Sequence, residues 1–155
     1  MPASAAFNLE DIKSMISSVQ SIIKDVRHLK DSMLDLESEM RILRIKVERS
    51  KNPALTADVK KEVLLPLSKM LKTFQDRIIG FDEFIVRDEE VLADLSRILD
   101  IVQKSEADIF NSDKLQACLQ ARKEYIENSL GIVDVHLSLM NLARNYINSI
   151  KAAYF

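Results

Sequence analysis

The chain has two glycines, three prolines, one cysteine and no tryptophan in 155 residues. So little glycine and proline leaves few turn formers for an all-β or α/β fold, whose tight connections depend on them. The lone Cys118 cannot form an internal disulfide, which fits a reducing compartment. An excess of one charge is also lacking. The 22 Lys and Arg stand against 24 Asp and Glu, without the strongly basic footprint of a general nucleic-acid binder. The only histidines are His28 and His136, so a Ser–His–Asp or Cys–His arrangement has little material, and no zinc cluster forms without carboxylates. Glycines at 80 and 131 alone exclude a glycine-rich phosphate loop. Long apolar runs are missing too: residues 128–150, the least charged stretch, still carry Asp134 and Arg144. Residues 1–7 have no basic segment followed by an apolar core of secretory length. These absences lead to the expectation of a cytoplasmic, non-enzymatic protein without cofactor or metal. It is expected to form one domain over residues 1–155, with 1–7 frayed.

What is present is 47% hydrophobic residues, set at helical spacing. At this length folding buries roughly two-thirds of the extended chain's surface, enough for a core without a disulfide or metal. Asn8 is an N-cap candidate, with Glu10 and Asp11 in the first turn where the helix dipole favours acids. Ile12, Val19, Val26, Met33, Met40 and Val47 then recur every seven residues. The flanking residues change from Leu9, Ile16 and Ile23 to Leu29, Leu36 and Leu43, which predicts a seam that swings around the first helix. The segment 50–56 reads as a loop because Asn52 precedes proline. Thr56 or Asn52 caps a second helix with Val59, Val63, Leu67, Met70, Phe74 and Ile78 on its apolar stripe and Pro66 inside it.

The next break falls either at Gly80 or at Arg87–Asp88. The second position is preferred, because a continuous helix would place Asp88 in the core. A third helix from Asp88 then buries Leu92, Leu95, Leu99 and Val102, and Asn111 or Ser112 caps a last helix running nearly to Phe155. The expected fold is therefore an all-α antiparallel four-helix bundle, with long first and last helices and two shorter ones between. In that arrangement the loops at 50–56 and 105–112 share one end, while the 87–88 break and both termini share the other.

Charge divides along the same line. Residues 41–61 hold seven basic groups (Arg41, Arg44, Lys46, Arg49, Lys51, Lys60, Lys61) against Glu48 and Asp58. Residues 82–90 hold five acids against Arg87. Helix dipoles account for such an arrangement at helix ends. Alternatively, Arg41, Arg44, Arg49, Lys51, Lys60 and Lys61 form a basic end for an anionic lipid or acidic partner.

The last helix carries more apolar surface than a surface helix needs. Ile126, Leu130, Val133, Leu137, Met140 and Ile147 form one stripe, and Ile132, Val135, Leu139, Leu142 and Tyr146 a second. Together they span on the order of 240°, against about 100° for an ordinary surface helix. Three readings compete: a central helix fully covered by its neighbours, a face for a second copy or a partner helix, and a segment that enters a membrane. The expected function is a protein-interaction or oligomerisation module using Ile132, Val135, Leu139, Leu142 and Tyr146. The alternative is a membrane-acting domain that meets anionic lipid through its 41–61 end. His136 falls within the apolar arc, as a core histidine or a pH-responsive packing group. Asp25 and His28, three apart, read as a solvated pair on the outer face, and Cys118 as a half-buried structural cysteine.

Overall fold

The computed structural model of the protein describes residues 7–104 and 112–155. Among these residues there are three α-helices and no strand: α1 (Leu9–Arg49), α2 (Ala57–Lys104) and α3 (Asp113–Tyr154). The all-α class is as expected, but the four-helix bundle is not. The two shorter helices expected over 57–104 are one helix of 48 residues, the longest of the three.

The helix starts follow local capping chemistry. Asn8 Oδ1 accepts from Asp11 N–H at 2.9 Å while Asn8 N–H donates to Asp11 Oδ2 at 2.8 Å, a reciprocal cap. Thr56 Oγ1 accepts from Val59 N–H and so caps α2. Asn52 instead turns the loop, accepting from Ala54 N–H. Ser112 stands at the start of α3, its carbonyl accepting from Gln116 N–H; Asn111 lies outside the described residues.

No break occurs at Gly80 or Arg87–Asp88. Gly80 has no positive φ and sits within α2, as Pro66 does at the cost of one backbone donor. The reason is register. Phe74, Phe81, Asp88, Leu95 and Val102 are seven apart and all buried, so Asp88 occupies a core position and is 1% exposed. Its Oδ1 accepts from the Tyr125 hydroxyl at 2.7 Å, which makes burial of the carboxyl tolerable. The acids of 82–90 therefore line a helix interior, with no N-terminus there for them to stabilise.

The expected swing of the α1 seam is also corrected. Its main buried row is Ile12, Met15, Val19, Ile22, Val26, Leu29, Met33, Leu36, Met40, Leu43 and Val47, alternately three and four apart, with Ile23 and Glu37 buried beside it. This is coiled-coil spacing, with Met15 and Ile22 filling the positions that the flanking-residue argument passed over.

The chain forms two compact units, and each helix contributes to both. The first comprises the described residues of Met1–Val26 together with Glu83–Asp134; the second comprises Arg27–Asp82 with Val135–Phe155. In the first, Arg122 reaches Asp94 and Tyr125 reaches Asp88, an antiparallel pairing of α2 and α3. The Gln116 side chain bonds both the N–H and the carbonyl of Phe7, so α1 and α3 start side by side. In the second, Lys30 pairs with Asp82 and Gln75 with Glu37, an antiparallel pairing of α1 and α2. There Asn52 Nδ2 donates to the Tyr154 carbonyl at 3.0 Å. The 50–56 loop thus meets the end of α3, contrary to the expectation that loop and termini lie apart.

Candidate interaction surface

The buried line of α3 runs between the two stripes expected from hydropathy. It consists of Leu119, Ile126, Ser129, His136, Met140, Ala143, Ile147 and Ile150, at intervals of three, four or seven. Three of these, Ser129, His136 and Ala143, are polar or small, so hydrophobicity alone did not mark their row. The first stripe splits accordingly: Ile126, Met140 and Ile147 are buried, Val133 is half-buried, and Leu130 and Leu137 are exposed.

The second stripe splits as well. Leu139 and Tyr146 are half-buried, and the Tyr146 hydroxyl donates to the Val63 carbonyl of α2 at 2.9 Å. Burial raises the Tyr146 pKa above the usual phenol value, with Tyr154 adding to it. Val135 is 58% exposed and Leu142 65% exposed, on the rows just outside that shoulder. These four residues share the second unit, while the exposed Ile132 stands in the first. On α2 of the second unit Gly80 is exposed, and a methyl group there would meet nothing within 4 Å. Exposed aliphatic side chains grouped on one side of a helix can take an apolar helix face.

The six basic residues of the 41–61 end divide by use. Arg41 pairs with Glu37, which also accepts from Gln75. The Lys60 ammonium donates to the carbonyls of Glu48 and Ser50, closing the C-terminus of α1 as a cation there should. Arg49, Lys51 and Lys61 are exposed and Arg44 is half-exposed; none has an ion-pair partner among the described residues.

A perturbed pair of groups includes one that sequence reasoning assigned to a cap, Asp88, together with Tyr125. Burial raises the Asp88 pKa above the ordinary carboxylate value, partly offset by the bond from Tyr125. Burial, the bond to Asp88 and the charge of Asp88 push the Tyr125 hydroxyl up to about 12. Asp88 Oδ2 and Arg122 Nε are buried without a partner among the described residues, while Arg122 also binds Asp94 at 3.0 Å. The repeat through Phe74 and Phe81 points to a core position for Asp88, which in sequence reasoning is a reason to break the helix. His136 is buried with its ring 5.0 Å from that of Phe81, tilted by 56°, in the manner of a core histidine. Asp25 and His28 are exposed on α1, and Cys118 is half-buried.

Among the described residues no cluster of three or more His, Cys, Asp or Glu side chains could hold a metal ion. No helix among them is long and apolar enough to cross a membrane. No family model matches the chain, and neither the curated proteins nor the solved structures contain a match to it.

Proposed function

We propose that this protein is a non-enzymatic helical interaction module that associates with a second copy of itself. The contact face is Val135, Leu139, Leu142 and Tyr146 of α3. The observation that carries this reading is the exposure of Val135 and Leu142 one row outside a half-buried shoulder of Leu139 and Tyr146. Water-exposed aliphatic side chains grouped on a well-formed helix favour an apolar partner. A second copy presents the same face, as a two-fold contact requires.

Leu142→Asp is the direct test. Because Leu142 is exposed, the substitution should change stability by no more than about 0.5 kcal/mol while abolishing association. Leu139→Asp is a poorer probe, since Leu139 is half-buried and its loss also disturbs the packing within the unit. Association of Leu142→Asp with undiminished strength, measured by analytical ultracentrifugation, would remove this face from consideration.

A further inference from the structure

We propose that the loop end of the second unit binds an anionic phospholipid surface, using Lys46, Arg49, Lys51 and Lys61 around Ile42, Ile45 and Leu65. This inference is independent of the α3 contact. It starts from charge that the fold leaves unused. Arg41 and Lys60 are engaged by Glu37 and by the C-terminal carbonyls of α1, as described above. Lys46 and Arg49 lie in the last turn of α1, where the helix dipole accounts for them. It does not account for Lys51, in the loop, or for Lys61, near the start of α2, where a cation is disfavoured. All four are exposed and none forms an ion pair among the described residues. The acids in the same stretch, Glu48, Asp58 and Glu62, leave it positive overall.

The second observation is apolar exposure in the same place. Ile42 is 55% exposed, Ile45 44% and Leu65 60%. The core rows pass through Leu43 and Val47 on α1 and through Val63 and Leu67 on α2. By that register Ile42 and Ile45 lie with Lys46 and Arg49 on the outer side of α1, and Leu65 lies on the outer side of α2, so the surface at this end is convex. A partner helix is best held in a groove, whereas a phospholipid surface needs none. It offers phosphates to the cations and an acyl boundary to the aliphatic side chains. The combination matters, because a polybasic stretch or a shallow apolar contact alone binds weakly and reversibly.

The test uses the full chain with sedimented vesicles of phosphatidylcholine alone or with about a third phosphatidylserine, at physiological salt. Binding is expected only to the vesicles containing phosphatidylserine, and it should weaken as salt is raised. Lys51→Glu with Lys61→Glu should lower the partition coefficient by at least about 25-fold, taking about fivefold for each cation lost. Ile45→Ser should lower it severalfold with the charge unchanged, which a purely ionic attraction would not show. Unchanged circular dichroism and unfolding midpoints establish that these variants fold. The proposal is overturned by absence of binding to either vesicle, by equal binding to both, or by binding indifferent to the charge variants. Capture of polyglutamate without binding to vesicles would also overturn it, by assigning the patch to an acidic polypeptide. Leu142→Asp should leave vesicle binding unchanged, so failure of one proposal is distinguishable from failure of the other.

Discussion

The two units are built from the same three helices and the same seven-residue register, yet their cores differ in kind. The second is filled by Met33, Met40, Leu43, Val47, Leu67, Phe74, Met140, Ile147 and Ile150, with His136 and Glu37 the polar exceptions. The first has Ile12, Val19, Leu95 and Leu119 but also Asp88, Ser129 and the half-buried Arg122 and Tyr125. Periodicity sets where a helix is buried; the chemistry of the buried row decides how conditions affect it. An apolar core responds to lost volume, whereas a core containing a carboxyl responds to its hydrogen-bond partner and to pH.

Loss of volume should give the largest effect. Phe74→Ala, in the second unit, removes a fully buried ring and should cost about 3–5 kcal/mol in denaturant unfolding. In the first unit the comparison is sharpened by Tyr125→Phe, which leaves the Asp88 carboxyl without its donor. It should cost about 1–3 kcal/mol, although only one oxygen is lost. Asp88→Leu combined with Tyr125→Phe removes both polar partners and should recover most of that loss. If the double variant is less stable than Tyr125→Phe alone, the pair contributes something beyond mutual satisfaction.

The pH dependence follows from the raised pKa of Asp88. A carboxyl that holds its proton more tightly when folded contributes stability fully present below its ordinary value of 3.8. That contribution is lost as pH rises through the raised value. The Asp88→Asn variant does not titrate, so the stability of the natural chain relative to it should fall as pH rises above about 3.8. A constant difference across that range would show that Asp88 does not titrate differently in the folded state. The smallest effects should be alike in both units. Gly80→Ala and Gly131→Ala place a methyl group in open space on a helix, and each should add about 1 kcal/mol.

Much of the local structure was legible. Asn8, Thr56 and Ser112 were readable as helix starts because their side chains satisfy backbone donors within three residues. The loop before α2 was readable from Asn52–Pro53. Asp88 was not, since a buried aspartate and a capping aspartate look the same until Tyr125, 37 residues away, is brought beside it. The buried row of α3 was obscured for a related reason. Ser129, His136 and Ala143 lie on the core side while Val135 and Leu142 lie outside, so hydropathy and burial part company on that helix. Of the five residues expected to bind a partner, Ile132, Val135 and Leu142 are exposed, and Tyr146 is partly engaged in holding α3 to α2.

The central claim is that the exposed face of α3 joins two copies, and absolute mass in solution tests it most directly. Light scattering coupled to size exclusion, over a range of concentrations, should give a multiple of 17.7 kDa for the natural chain and 17.7 kDa for Leu142→Asp. A natural chain that remains at 17.7 kDa at every concentration would contradict it.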